Sequence, residues 1–319
     1  MSEIGIISIG AAVPQRILTN ADLEKMVETT DEWIVTRTGI RERHIMSPDE
    51  TVAGLVTRAA KNACGRIGRN PQELDFVISS TLTPDRISPA QSFEVARGLE
   101  MGHAFCFDMN AACSGFIYAL AMAESLLKTR NISSGLVTAG EQLSTLTDYR
   151  DRSSCILFGD AAVAALVTND HPDHIIRYSE LGSDPSLADE VVIGGVRDLM
   201  NDRRDDFYFR QNGKVVFKFA VSKIKEICER VPRLAGLTID DIEYIIPHQA
   251  NMRIVEAASK EIASDKTQFL YNIAKFGNTS SASIGLVLND EWSRFQKGDH
   301  ILLIGFGGGL SWGAALIEW

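Results

Sequence analysis

Apolar residues along the chain recur in short runs and in amphipathic stretches that follow one another in a regular order. Small and β-branched residues from Ile4 to Gly10 predict a first strand, which ends at a Gly-Ala-Ala turn. An amphipathic pattern from Thr51 to Ile67 predicts a long helix, and the apolar run beginning at Phe76 predicts the next strand. Further elements are a helix predicted over 90–99 and strands predicted over 104–108 and 135–140. Alternation of this kind is typical of an α/β fold.

The stretch DMNAACSGFIYALAMAE, from Asp108 to Glu124, lies at the centre of this pattern. After Gly115 it is apolar on every side until Glu124, which predicts a helix buried in the middle of the molecule. Cys113 lies at the start of that helix, where free backbone N–H groups and the helix dipole are expected to lower the thiol pKa. Cys113 is therefore a candidate nucleophile. The alternative is a small buried apolar residue, since free cysteine is often buried.

The second half of the chain repeats the order of elements found in the first. A helix predicted from Val216 to Val231 leads into an apolar strand that ends at His248, just as the long helix of the first half leads into its own strand. This repetition predicts two duplicated α/β halves, over residues 1–169 and 170–319. Functional sites in such folds lie at the carboxyl ends of strands. Asp170 to Asp206 is rich in Asp, Gly and Arg and is expected to be an irregular surface segment.

Two polar side chains of the second half stand beside apolar elements. His248 follows a strand in IIPHQANMRI, and Asn278 precedes a helix in KFGNTSSAS. Each has a structural alternative, because a histidine at a strand end often only makes hydrogen bonds and an asparagine before a helix is often its N-cap. The glycine run from Gly305 to Gly309 can approach a bound group closely and offer N–H donors. It is a weak dinucleotide signal, since no GxGxxG opens a strand-helix-strand unit.

Composition narrows the functional classes. The formal net charge of −10 argues against nucleic-acid binding, and an acidic partner would require a local basic patch. The five cysteines are scattered and odd in number, so neither a disulfide framework nor a zinc site is expected. No run of residues is apolar enough to predict a membrane span, and the first residues do not resemble a secretory signal. We therefore expect a cytoplasmic protein without a nucleic-acid or membrane partner.

Four motifs of this sequence, in their order along the chain, resemble those of the thiolase-fold condensing enzymes. They are NAACSGF, PHQANMRI, FGNTSSAS and GFGGGLSWG. The resemblance is most specific to the β-ketoacyl-[acyl carrier protein] synthase III family and extends to TDEWIVTRTGIRERH and DRSSCILFGD. It implies a thiolase-like α/β fold of two duplicated halves, with layered helices and mixed five-stranded sheets. The sequence departs from the family in FGDAAVAAL, where GDGAGA is usual. This departure is expected to affect core packing more than chemistry.

The resemblance implies a role for each motif residue. The catalytic triad would be Cys113, His248 and Asn278, and the asparagine, where elongating relatives have a second histidine, points to the initiating branch. Cys113 would take an acyl group from acyl-CoA, and the backbone N–H groups of Cys113 and Gly308 would form the oxyanion hole. His248 and Asn278 would hold the enolate formed when malonyl-[acyl carrier protein] loses CO2. No metal and no cofactor are implied, because acyl-CoA is a substrate.

The same resemblance assigns contacts to the two substrates. Trp33, Arg37 and Arg152 would bind CoA by stacking and phosphate pairing, although without the resemblance they would be a partly buried anchor and two solvated cations. The acidic carrier protein would dock on Lys218, Arg253 and Lys260. Lys260 has a simpler alternative, a surface ion pair with the glutamate four residues before it.

Ser88 stands before Pro89 in the loop that, in the family, crosses a homodimer interface to line the partner's acyl pocket. A serine at this place is expected to leave room for acyl chains longer than acetyl or branched. The alternative is that Ser88 caps the helix that follows.

Three functional hypotheses follow. The first is the decarboxylating condensing enzyme that begins fatty acid biosynthesis. The second is a related acyltransferase of secondary metabolism with another starter or acceptor. The third is a nucleotide-binding or non-catalytic α/β protein, which only the glycine run supports.

Overall fold

The computed structural model describes residues 3–201, 203–262 and 264–319. Its strands are β1 Gly5–Ala12, β2 Ile17–Thr19, β3 Glu42–His44, β4 Phe76–Ser80, β5 Phe105–Met109, β6 Ser134–Glu141, β7 Ala161–Thr168, β8 His174–Ser183, β9 Val191–Val192, β10 Arg210–Gln211, β11 Tyr244–Pro247, β12 Gln268–Phe269, β13 His300–Gly307 and β14 Ser311–Glu318. Its helices are α1 Asn20–Leu23, α2 Asp31–Thr38, α3 Val52–Ile67, α4 Gln91–Gly98, α5 Gly115–Thr129, α6 Arg152–Cys155, α7 Val196–Met200, α8 Arg204–Phe207, α9 Gly213–Leu234, α10 Met252–Glu261, α11 Ile273–Phe276 and α12 Ser283–Asp290.

The large sheet has the strand order β12-β11-β13-β14-β8-β1-β7-β6-β4-β5 in the described residues. Its two five-stranded halves repeat one pattern: in each, the first strands pair antiparallel and the outer strands pair parallel. The halves meet where β1 pairs with β8, through Gly5 with Ile175 and Ile6 with His174. The expected fold of two mixed five-stranded halves is thus confirmed. We propose the boundary at residues 169 and 170, because it falls between β7 and β8.

Two apolar helices form the middle layer of the molecule. α5 packs on β4 and β6 of its own half and on β13 and β14 of the other, and α12 likewise contacts strands of both halves. α3 covers the outer face of the first half-sheet, and α9 covers that of the second. Phe116, Ile117 and Leu120 of α5 are buried, as its apolar pattern predicts, while Met122 is 38% exposed. The start of α5 is therefore held between the two halves.

The segment from Asp170 to Asp206 is less irregular than expected, because it contains the ten-residue strand β8 at the centre of the sheet. The sequence pattern did not predict β8 because charged side chains interrupt its apolar residues. Arg177 pairs with Glu3 and Glu318, and Glu180 pairs with Arg230. The charged residues of this strand therefore form ion pairs with other elements and do not indicate a surface loop.

The last six residues of the family departure FGDAAVAAL lie in β7, and Val163 among them faces α12. Val163 is fully buried, and a Cβ added at Gly285 of α12 would lie 2.6 Å from its Cγ2. Val163 therefore occupies the space that a side chain at Gly285 would need. Among the described residues, no helix combines the length and the apolar character needed to cross a membrane.

Candidate active site

Cys113 lies in a tight turn between β5 and α5. The turn is a 3-10 helix over Ala112–Ser114, and Ala112 has a left-handed φ of 47°. The Asn110 side-chain oxygen accepts a hydrogen bond from the Ala112 N–H at 3.2 Å. The end of β13 passes directly over this turn, since a Cβ at Gly307 would lie 2.6 Å from the Cys113 nitrogen. The glycine run is therefore needed for close approach to Cys113.

His248 follows β11 and is held by both its backbone and its ring. Its N–H donates to the Ile304 carbonyl at 2.7 Å, which extends the pairing of β11 with β13. Its Nδ1 lies 2.7 Å from the Ser283 hydroxyl, and its ring meets Phe306 edge to face with centroids 5.0 Å apart. The side chain is 1% exposed. These contacts fix the orientation of the ring, and Nε2 is the ring nitrogen that does not contact Ser283.

Asn278 is placed by a short bridge to the segment before β7. Its N–H donates to Leu157 at 2.8 Å, and its carbonyl accepts from the Gly159 N–H at 3.1 Å. Gly277, with a left-handed φ of 68°, turns the chain into this bridge. The Asn278 Oδ1 accepts from the Ser280 N–H at 2.9 Å, which ties the side chain to the start of the next turn, although the N-cap of that turn is Thr279. Its amide nitrogen remains as a donor.

One narrow cavity brings these three side chains together. Cys113, His248 and Asn278 line it with the glycine run, including Gly308. A larger cavity of about 630 Å³ also reaches Cys113 and Gly308 and is lined by apolar side chains such as Leu143 and Phe209. The residues therefore surround a space next to a sulfur nucleophile, with room beyond it for an apolar group.

Burial decides the protonation of the cysteine and the histidine. It raises the pKa of the Cys113 thiol to about 12, although the nearby Ser280 side chain acts in the opposite direction and favours the thiolate. The expected lowering of this pKa is therefore wrong, because loss of solvation outweighs the helix terminus. Burial also lowers the pKa of His248 to about 3, so its imidazole is neutral.

The sequence did not single out Glu141, which ends β6 close to the cysteine. Glu141 is fully buried, and burial raises its pKa to about 7. Its charge in turn raises the pKa of Cys113. The signal that could have found it is the rule that polar residues at strand ends meet at one edge of a parallel sheet.

Trp33, Arg37 and Arg152 lie together at the surface of the first half. The Arg152 guanidinium is 4.7 Å from the centroid of the Trp33 ring, and the Arg37 guanidinium is 5.7 Å from it. Both arginines are exposed and Trp33 is partly buried. The predicted CoA contacts thus form one cluster of two cations around an aromatic ring.

Lys218 and Arg253 line one groove between α9 and α10, of about 370 Å³, together with Lys214. Gln211, Val216 and Ala250 line both this groove and the narrow cavity of Cys113, so the two spaces adjoin. Lys260 lies on the last turn of α10 and does not line the groove. Lys214 was not predicted, although it lies one helical turn before Lys218 and shares its face.

Ser88 is exposed in the loop between β4 and α4. The capping alternative is wrong, because the first N–H groups of α4, those of Gln91 and Ser92, donate to the Asp108 carboxylate instead. Within this chain Ser88 does not line the cavities that reach Cys113. Among the described residues, no group of three or more His, Cys, Asp or Glu is arranged to hold a metal ion.

Comparison with known proteins places this site in a family. The family model described as 3-oxoacyl-[acyl-carrier-protein (ACP)] synthase III matches residues 107–185, and its C-terminal counterpart matches residues 233–319. The β-ketoacyl-[acyl-carrier-protein] synthase III of Clostridium tetani is 40% identical over 331 residues, covering 99% of this chain and 98% of the relative.

Solved structures give the same result. The 3-oxoacyl-[acyl-carrier-protein] synthase III of Aquifex aeolicus superposes with a TM-score of 0.91 at 39% identity, covering 99% of this chain and 100% of that one. The priming β-ketosynthase of the R1128 polyketide biosynthetic pathway superposes with a TM-score of 0.92 at 32% identity, covering 99% and 96%. Similarity of sequence and fold over the whole length shows that this chain belongs to the β-ketoacyl-[acyl-carrier-protein] synthase III family, the condensing enzymes that initiate fatty acid synthesis.

Proposed function

We propose that this enzyme loads an acyl group from acyl-CoA onto Cys113 and condenses it with malonyl-[acyl carrier protein], releasing CoA and CO2. The product is 3-oxoacyl-[acyl carrier protein], and the reaction uses no cofactor. The observation that carries this assignment is the shared cavity of Cys113, His248 and Asn278 beneath the glycine run. Free cysteines in the described chain fit the reducing cytoplasm as its compartment.

The first half-reaction is thioester exchange at Cys113. Its sulfur attacks the acyl-CoA carbonyl carbon, and CoA leaves as the thiolate. The negative oxygen formed in between needs donors already in place, and the backbone N–H groups of Cys113 and Gly308 supply them in our proposal. The close approach of Gly307 to the Cys113 nitrogen supports this pairing. The cavity of about 630 Å³ then receives the acyl chain.

The second half-reaction needs two neutral hydrogen-bond donors. Because burial lowers the pKa of His248 to about 3, its ring stabilises an enolate by donating a hydrogen bond rather than by carrying a charge. The Ser283 hydroxyl lies 2.7 Å from Nδ1. In our proposal this hydroxyl donates to Nδ1, so that the ring proton is on Nε2. The Asn278 oxygen is already used by Ser280, which leaves its amide nitrogen to donate. Both donors can hydrogen-bond to the thioester oxygen of the malonyl group as it loses CO2.

The two substrates reach this site across different surfaces in the proposal. The cluster of Trp33, Arg37 and Arg152 binds the adenine and phosphates of CoA. Lys218 and Arg253 attract the acidic carrier protein at the groove that adjoins the cavity, and Lys260 extends this charge along α10. Two chains form a homodimer, in which Ser88 of each chain lines the acyl pocket of the other.

Two measurements test the central assignment. Incubation with acetyl-CoA should increase the intact mass of the wild type by one acetyl group, and Cys113→Ala should show no such adduct while keeping its circular dichroism spectrum. Radiolabelled CO2 should then be released from malonyl-carrier protein by the acylated wild type. Acylation of Cys113→Ala at the wild-type rate would overturn the assignment.

A second candidate is a priming role in secondary metabolism. It is favoured by the 32% identity to a priming ketosynthase and by the volume of the cavity beside Cys113. A panel of acyl-CoA starters separates the two, because a fatty acid initiator should transfer short starters to malonyl-carrier protein and a priming enzyme should prefer an unusual one.

A further inference from the structure

Glu141 is a buried carboxyl group that neither half-reaction above uses. Its Oε2 accepts hydrogen bonds from the Leu82 N–H at 2.9 Å and the Thr83 hydroxyl at 3.1 Å, and its Oε1 accepts from the Ser281 hydroxyl at 2.8 Å. No cationic side chain forms an ion pair with it in the described parts of the chain. Burying a carboxyl group that only neutral donors hold reduces the stability of the fold. A residue at such a position is therefore a candidate for a chemical role.

Ser280 lies between Glu141 and the cysteine. It lines the larger cavity together with Cys113, and the hydroxyl of the next residue, Ser281, donates to the Glu141 carboxyl. The Ser280 side chain therefore lies close to both the Cys113 thiol and the Glu141 carboxyl. In the described structure its hydroxyl makes no hydrogen bond of regular geometry, although it is fully buried. The residue has a left-handed φ of 51°, and the Asn278 oxygen holds its N–H at 2.9 Å. The backbone is thus fixed in an unusual conformation, and it leaves a buried hydroxyl without a regular partner close to the thiol and the acid.

His248 is poorly suited to take a proton from Cys113. Its Nδ1 faces the Ser283 hydroxyl, and burial lowers its pKa to about 3. Glu141, whose pKa burial raises to about 7, is matched to proton transfer near neutral pH. Among the described residues, Cys113 is the titratable group that faces Glu141. The Asp160 carboxylate instead accepts hydrogen bonds from the Met46 and Ser144 N–H groups.

We propose that Glu141, acting through the Ser280 hydroxyl, accepts the proton that Cys113 loses when it attacks the acyl-CoA thioester. The S–H bond breaks as its proton passes to the Ser280 oxygen, and the Ser280 proton passes to the Glu141 carboxylate. The new S–C bond forms as the C–S bond to CoA breaks. The CoA thiolate leaves, and Glu141 returns to its ionised form by giving its proton to CoA or to water.

Loss of charge on Glu141 adds to the reaction electrostatically. The ionised carboxylate disfavours a thiolate at Cys113, and this repulsion disappears when the same proton neutralises it. The hydroxyls of Ser281 and Thr83 can rotate, so each can accept from a protonated Glu141 as readily as it donates to the carboxylate. This inference rests on the proposed role of Cys113 as nucleophile.

The test compares the two half-reactions in Glu141→Gln, which keeps the shape of the side chain. Acylation is followed by rapid quench and intact mass with acetyl-CoA between pH 5.5 and 9, and CO2 release is followed separately with enzyme acylated to completion. We expect wild-type acylation to rise with pH through about 7, and Glu141→Gln to slow it about 10²-fold with no such rise. CO2 release by the acylated variant should stay within about twofold of wild type, because that step takes no proton from Cys113.

Two further variants keep the outcome decisive. Ser280→Ala should reproduce the slow, pH-independent acylation, and it replaces Glu141→Gln if that variant does not fold. Glu124→Gln, a buried glutamate bonded to Ser179 in the second half of α5, should behave as wild type. Equal loss of both half-reactions, or an unchanged pH profile of acylation, would overturn the inference. An acetyl adduct on Cys113→Ala would instead overturn the proposed nucleophile itself.

Discussion

At the scale of single residues, burial gives the resting site two neutral reacting groups. The Cys113 thiol has a pKa of about 12 and the His248 imidazole one of about 3, so neither is charged near neutral pH. Neither of these two groups therefore presents a charge to the uncharged thioester that enters the site. Charge appears only during reaction, first on sulfur and later on the enolate oxygen, and the donors around the cavity are positioned for those moments.

We predict that His248→Ala and Asn278→Ala separate the half-reactions. Each variant should still take an acetyl group from acetyl-CoA, because acylation forms no enolate. Each should lose about 3 kcal/mol of transition-state stabilisation in CO2 release, the usual effect of removing one such donor. Label on Cys113 and CO2 release are measured in parallel. A parallel fall of both rates would show that these side chains do not have separate roles.

Ser88 sets acyl-chain length in our proposal through the partner chain. Ser88→Phe should shift preference toward acetyl-CoA and away from longer starters, since each excluded CH2 forfeits about 0.8 kcal/mol of burial. Competition between acetyl-CoA and hexanoyl-CoA measures this shift. The melting temperature should not change, because Ser88 is exposed in the single chain. A wild type that already refuses longer starters, or that sediments as a fully active monomer, would contradict the prediction.

At the scale of elements, α9 and α10 create a basic groove on an acidic protein. Lys214 and Lys218 come from α9, and Arg253 begins α10, so the charges converge only because the helices pack together. With a net charge of −10, the molecule as a whole repels an acidic partner. A local patch of this kind restores association in a salt-dependent way.

We predict that Arg253→Glu raises the KM for malonyl-carrier protein roughly tenfold, with little effect on acylation by acetyl-CoA. Lys61→Glu, the same charge change on an exposed residue of α3, is the matched control and should have little effect. The wild-type KM for the carrier should also rise with salt. Equal losses toward both substrates would indicate that Arg253 has a structural role.

The packing of β7 on α12 gives a prediction about stability. Gly285→Ala should destabilise the protein by about 1–3 kcal/mol, because the new Cβ would overlap Val163. Adding Val163→Ala should relieve part of this overlap. The double mutant should therefore lose less free energy of unfolding than the two single mutants lose together. Urea unfolding measures all three variants. Additive effects would mean that the two positions are not coupled.

At the scale of the whole molecule, the site exists only at the meeting of two halves. Cys113 comes from the first half, and His248 and Asn278 come from the second, while α5 and α12 pack on strands of both. The halves are also joined at the β1–β8 pairing, where Ile6 pairs with His174. The His174 ring stacks on Trp319 of its own half, with ring centroids 3.6 Å apart.

This seam should be sensitive to acid. Burial lowers the pKa of His174 to about 4, against an ordinary value of about 6.5 in the unfolded chain. The folded state therefore prefers the neutral ring, and its contribution is complete above about pH 6.5 and is lost as pH falls toward 4. His174→Phe should reduce the fall in melting temperature between pH 7 and 4.5, and the exposed His171→Phe should not. An unchanged pH dependence in His174→Phe would contradict this prediction.

The sequence by itself determined most of the element order and the identity of the key residues. Long apolar or amphipathic runs, such as those of α3 and α5, leave little choice of structure, and the four motifs name Cys113, His248 and Asn278. Strand β8 escaped prediction because its charged side chains are satisfied by Glu318 and Arg230, which are far away in the chain. Local sequence contains no sign of such partners.

Tertiary structure alone decided the electrostatics of the site. A helix start predicts a lowered thiol pKa, but Cys113 lies between the two halves, where partial shielding from solvent raises the pKa instead. The same burial changes Glu141 from a strand-end residue into an acid with a pKa of about 7, next to Ser280. Charge stabilisation depends on everything within several ångströms in three dimensions, whereas sequence patterns report only what a residue's neighbours along the chain provide.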